Sequence, residues 1–129
     1  MKKEIIQIPG IPRPSSPYNH VVKAGNMLYL TSQLSCDLAA NQLLGGTIEE
    51  QTRQALENVR FLLEHAGSSM EQVVDVTVFM QNLDDFPRMD TVYRQFFAPG
   101  KEPARVTVQA ASPVPGIEIE IKVTALCGD

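Results

Sequence analysis

Two side chains have a type and spacing that suggest chemistry: a guanidinium and a carboxylate on successive strand-like runs. In PARVTVQ at 103–109, Arg105, Thr107 and Gln109 alternate with Val106, Val108 and Ala110, the period of a strand with one polar and one apolar face. Arg105 then belongs to the polar face. In IEIEIKVTA at 117–125, Glu118, Glu120 and Lys122 alternate with Ile117, Ile119, Ile121 and Val123. An arginine fork grips a carboxylate bidentately in a geometry lysine does not copy, and a nearby glutamate can take a proton from water. The pair suggests a small site for a carboxylate-bearing molecule. Taken singly, each residue has a blander reading: a surface ion pair worth about 0–1 kcal/mol for Arg105, and a solvent-facing strand carboxylate for Glu120.

The other reactive side chains are less suggestive. Tyr18 follows a proline, where a ring usually packs with a tethered hydroxyl, and Ser32 ends a strand-like run, a common turn position. His20 and His65 have no partner at metal-ligand spacing. Nothing beside Cys36 would activate it as a nucleophile, and no Ser/His/Asp triad has support. Cys36 and Cys127 form neither a CxxC nor a zinc spacing, so both are expected as free thiols in a reducing compartment.

The chain of 129 residues is expected to form a single domain, 1–129, with enough apolar material, 43%, for its own core. A formal charge of −4 without any lysine or arginine run argues against a general nucleic-acid binder. Glu4, Gln7 and Pro9 interrupt any signal-like apolar core, and no run approaches the roughly 18 residues that span a membrane. A soluble cytoplasmic protein is the expectation.

These residues need elements to hold them. A short strand is expected over 4–8, then a proline-rich loop, then a hairpin of 19–23 and 27–31 about the turn at Gly25. Residues 33–46 show no period, and their length marks a functional-loop candidate. Thr47 and Glu50 make a capping box for a helix whose Ala55, Leu56, Val59, Leu62, Leu63 and Ala66 form one stripe, ending at Gly67. A buried strand is expected over 73–81. A second helix, capped by Asp84 or Asp85 with Pro87 in its first turn, presents Met89, Val92, Tyr93, Phe96 and Phe97. The expected class is α+β, with a six-stranded mixed sheet and two helices on one face. Two helices cover one face only, and the other, carrying Glu118, Glu120 and Lys122, suits an oligomer with water-filled clefts between subunits.

Six motifs in this order resemble the RidA family, also called YjgF/YER057c/UK114 and once described as L-PSP endoribonucleases: PY at 17–18, GNMLYLTSQ at 25–33, QTRQALENV at 51–59, TVFMQNLDDF at 77–86, PARVTV at 103–108 and IEIEIKVTA at 117–125. The resemblance implies a bacillus chorismate mutase-like fold and a homotrimer whose sheets line a central barrel, with sites between subunits. It implies hydrolytic deamination of 2-imino acids such as 2-iminopropanoate and 2-iminobutanoate to 2-oxo acids. Arg105 matches the residue that binds the substrate carboxylate and Glu120 the one that orients the attacking water; Tyr18 and Ser32 match pocket residues, and Asp90 stands where asparagine is common. Thr107 replaces a frequent cysteine and Gln33 a usual glycine, with consequences for substrate range. No cofactor is implied, because an iminium carbon is already electrophilic and needs mainly a positioned water. Fifteen positions separate Arg105 from Glu120, which would let them meet across a hairpin, whereas the family architecture places them across a subunit boundary. The competing readings are a regulatory module that senses small carboxylates without turnover, and an endoribonuclease, which the acidic balance disfavours.

Overall fold

The first helix begins and ends on local signals. The Thr47 hydroxyl accepts from the Glu50 N–H at 3.1 Å, and the Glu50 carboxylate accepts from the Thr47 N–H at 2.8 Å. From there α1 (Ile48–His65) runs until Gly67, whose φ of 90° suits a residue without a Cβ. Its stripe of Ala55, Leu56, Val59, Leu62 and Leu63 is fully buried. These coordinates are a computed structural model describing residues 1–127.

Around α1 the chain lays down β1 (Lys3–Ile6), β2 (Val21–Ala24), β3 (Met27–Leu30), β4 (Cys36–Asp37) and β5 (Gln42–Leu43) before the helix. After it come β6 (Val73–Met80), α2 (Phe86–Tyr93), β7 (Ala104–Gln109) and β8 (Ile119–Leu126). Six strands form one mixed sheet in the order β1-β2-β3-β8-β6-β7. Every neighbouring pair is antiparallel except β6 and β7, which α2 joins as a crossover. Both helices lie on one face, over Val76, Val78, Ile119, Ile121 and Val123, all buried. Arg88 on α2 clamps Glu49 on α1 through two N–H donors at 2.9 and 2.7 Å. The α+β class, the mixed sheet and the one-sided helices agree with expectation. No described helix is long and apolar enough to cross a membrane.

Three local readings are corrected. The connection 33–46 is not without regular structure: β4 and β5 pair in a small ribbon that turns at Asn41, with φ 55°. In the second helix neither aspartate caps through its side chain. Asp85 holds the cap position but reaches toward Arg88, while Asn82 accepts from the Asp84 N–H at 2.9 Å. The helix also ends at Tyr93, and Phe96 and Phe97 are buried by a tighter turn and an extended residue beyond it.

The third correction concerns β7. The register aligns Val76 with Arg105 and Val123, and Phe79 with Val108 and Glu120. Arg105 and Thr107 therefore face the helices, while Val106 and Val108, 51% and 38% exposed, share the open face with Glu120 and Lys122. The polar and apolar assignments of the alternation are reversed relative to the layers. At this edge the α2 side chains Asp90, Phe86 and Tyr93 receive Arg105. β7 and β8 are also not neighbours, because β6 lies between them. Within one chain Arg105 and Glu120 point to opposite faces, so a hairpin meeting is excluded.

Candidate active site

Glu120 sits on β8 on the open face, and the chain leaving β3 is fixed beside it. Gln33 and Ile121 exchange both backbone hydrogen bonds, at 2.7 and 2.9 Å, which holds Ser32 next to Glu120. The Ser32 hydroxyl donates to Glu120 Oε1 at 2.7 Å. A second hydroxyl, that of Ser112, donates to Glu120 Oε2. Each carboxylate oxygen thus carries one donor and keeps lone-pair capacity for a further one, such as a water.

This carboxylate lines a pocket of about 430 Å³ with Thr31, Ser32, Phe79, Ser112 and Lys122. Lys122 Nζ is tied to the Leu30 carbonyl at 2.7 Å. A second pocket, of about 240 Å³, shares Ser32 with the first and is lined by Tyr18, His20, Gln33 and Cys36. Tyr18 is half exposed, its ring edge-on to His20 at 6.1 Å. Gln33 is 2% exposed, with its amide donating to the Thr31 carbonyl at 3.2 Å. Burial, and then the charge of Asp37, push the Cys36 thiol up against a smaller opposing effect of Asn58.

Arg105 forms a separate cluster across the sheet. Its Nη1 donates to Asp90 Oδ1 at 2.8 Å, and its guanidinium carbon lies 4.5 Å from the Tyr93 ring centre and 5.4 Å from that of Phe86. The side chain is 24% exposed. Asp90 also accepts from Arg94 at 2.8 Å. Burial works to raise the Asp90 carboxyl, but the hydrogen bonds from Arg105 and Arg94 outweigh it and hold the group below its ordinary value. Burial pushes the Tyr93 phenol up to about 12, so its buried hydroxyl stays neutral beside the guanidinium. One carboxylate shared by two guanidiniums leaves the cluster net positive, and the Arg105 donors not turned to Asp90 are available to an anion. Thr107 lies half-buried on the same side, two residues along β7.

The site residues expected from sequence thus fall into three groups. Glu120 and Ser32 are in contact; Tyr18 and Gln33 adjoin Ser32 in the next pocket; Arg105, Asp90 and Thr107 lie together on the opposite face. Ser112 was not anticipated, and its only sequence signal is a Ser-Pro pair between two strands. No three His, Cys, Asp or Glu side chains converge as a metal-ligand set among the described residues.

Comparison with known proteins supplies the relationship. The profile of the family described as Endoribonuclease L-PSP matches residues 10–127. A RutC family protein of Pyrococcus horikoshii is 39% identical over 123 residues, 95% of this chain and 97% of its own. The 2-iminobutanoate/2-iminopropanoate deaminase of Dermatophagoides farinae is 35% identical over 120 residues, 93% of each. A solved Thermotoga maritima structure, described as that of a candidate endoribonuclease, superposes with a TM-score of 0.88 at 36% identity, covering all of both chains. A profile spanning nearly the whole sequence, and relatives this similar end to end, mean that the chain belongs to the RidA (YjgF) family, which the matching profile names Endoribonuclease L-PSP.

Proposed function

We propose that the protein hydrolyses 2-imino acids of the 2-iminopropanoate and 2-iminobutanoate class to 2-oxo acids and ammonia, in clefts between the subunits of a homotrimer. The observation that carries this reading is the placement of a serine-held carboxylate, Glu120, and an anion-ready guanidinium, Arg105, on opposite faces of one sheet. They can act together only if a second copy brings its Arg105 to this Glu120. Exposed Val106 and Val108 on the edge strand give that copy an apolar surface to cover. The deaminase name of a relative at 35% identity supports the same chemistry.

In this reading Arg105 of one subunit binds the substrate carboxylate and Asp90 fixes the orientation of its fork. Glu120 of the next subunit accepts a proton from water as the water oxygen attacks the iminium carbon. A carbon–oxygen bond forms and the C=N π electrons move to nitrogen, giving a carbinolamine. The proton held by Glu120 passes to that nitrogen, the carbon–nitrogen bond breaks, ammonia leaves, and the hydroxyl loses its proton to give the 2-oxo acid. Tyr18, Ser32, Gln33 and Thr107 shape the space around the substrate tail. Positioning and one general base suffice for this addition.

The test is to generate the imine with an amino-acid oxidase and follow its decay with wild type, Arg105→Ala and Glu120→Gln. Wild type should accelerate decay, and each variant should lose about ten- to a hundredfold or more in kcat/KM. Equal decay with wild type and Arg105→Ala would remove Arg105 from the mechanism. Saturable 2-oxo acid binding without turnover would instead favour a sensing module, and RNA cleavage surviving repurification and lost in Glu120→Gln would favour the nuclease reading.

A further inference from the structure

We infer that Ser112 is a positioning residue for Glu120: its hydroxyl fixes the carboxylate in the orientation that receives the proton of the attacking water. The inference rests on the proposed hydrolysis and identifies a part of that site on the loop between β7 and β8.

The direction of the hydrogen-bond chain is set by the backbone. The Ser112 oxygen accepts from the Val114 N–H at 3.0 Å, so its own proton is left for Glu120 Oε2. Ser32 supplies the other oxygen, Oε1. With one donor on each oxygen, rotation of the carboxylate about its last torsion breaks both bonds, and a torsion that is otherwise broad becomes a single orientation.

The loop that carries Ser112 is itself held. Pro113 disfavours helical backbone at Ser112. At the start of the loop the Ala110 N–H donates to the Met80 carbonyl at 2.9 Å. At its end buried Gln51 donates to the Gly116 carbonyl at 3.3 Å and accepts from the Glu118 N–H at 2.9 Å. Ser112 lines the same pocket of about 430 Å³ as Glu120, so its hydroxyl stands at the wall of the space the carboxylate serves. A side chain placed merely to terminate β7 would not need to reach across to β8.

The experiment compares the full oligomeric protein with Ser112→Ala, Ser112→Thr and Ser112→Ala in a Glu120→Gln background. Ser112→Ala should lower kcat for imine hydrolysis by roughly ten- to a hundredfold with KM within about twofold, since the substrate carboxylate is held elsewhere. Ser112→Thr, which keeps the hydroxyl, should recover most of the loss. In the Glu120→Gln background Ser112→Ala should cost nothing further, because it acts through that carboxylate. An unchanged kcat, or an equal loss in both backgrounds, overturns the assignment. A crystal structure of Ser112→Ala decides it independently of turnover: Glu120 should leave its wild-type orientation, and a Glu120 that keeps one unchanged rotamer overturns the inference. Failure of wild type to hydrolyse any imine would instead sink the proposed function.

Discussion

Replacing Gln51 by leucine isolates the contact that fixes the start of β8, two residues before Glu120. Gln51 is 1% exposed on α1, and its amide joins three segments: it donates to Gly46 at 3.0 Å and to Gly116 at 3.3 Å, and accepts from the Glu118 N–H at 2.9 Å. Leucine fits the volume and removes all three bonds. The Gly46 and Gly116 carbonyls belong to exposed residues and reach water, so their loss costs little. The Glu118 N–H is on a half-buried residue, and an orphaned donor costs about 1–3 kcal/mol. Burying the leucine methyls returns about 1 kcal/mol. From a mid-range cost of about 2 kcal/mol the expected net loss is about 1 kcal/mol, which for a chain of 129 residues lowers Tm by roughly 4 °C. Urea unfolding at a fixed protomer concentration measures it, since any association adds to apparent stability. Because the Ser112 loop loosens with the same contact, kcat for imine decay should fall as well. A stability within about 0.5 kcal/mol of wild type would show that the Glu118 N–H finds another partner, and that the loop does not depend on Gln51.

Other consequences are equally measurable. Asp90 titrates below its ordinary value of 3.8, so its contribution to stability is complete above that pH and is lost as pH falls through the depressed value. Asp90→Asn should therefore flatten the acid limb of stability against pH below the ordinary aspartate value of 3.8, followed by circular dichroism. At neutral pH and low salt the same variant should bind a 2-oxo acid a few-fold more tightly by calorimetry, because the cluster gains a net positive charge, and the gain should fade with added salt. Val106→Glu places a charge on the open face at the sheet edge and should convert the proposed trimer to monomers in light scattering, with loss of imine hydrolysis. Iodoacetamide should label Cys36 more slowly at pH 8 than a free thiol in a peptide, since burial keeps it protonated; peptide mass spectrometry reads the rate.

What could be read from sequence followed from how local each signal is. The capping box at Thr47 and Glu50, the stripe through Leu56 and Leu63, and the stop at Gly67 depend on residues within one turn of each other, and all three appear in the structure. The β4–β5 ribbon was not legible because each strand is two residues long, too short for a period. Ser112 was missed because its partner lies eight positions away across a proline-rich loop, where no periodicity applies.

The reversal of β7 has a deeper cause. Alternation reveals that two faces differ, but not which one meets the helices, and the usual assumption that valines face the core fails on an edge strand. Arg105 found an anionic and aromatic bed on α2, while Val106 and Val108 were left on the open face. Under the proposed assembly the sequence is self-consistent: the valines are interior residues of the oligomer, and Arg105 reaches the rim of the sheet where a neighbour's Glu120 can meet it. Sheet parity separates Arg105 from Glu120 in a single chain, and under the proposed function the same parity would make hydrolysis conditional on association. Mixing the impaired Arg105→Ala protein with the impaired Glu120→Gln protein should then restore part of the activity, since some interfaces pair a wild-type Arg105 with a wild-type Glu120. Two impaired variants that gain no activity after subunit exchange, verified by native mass spectrometry, would place both residues' work within one chain and contradict the geometry of the sheet.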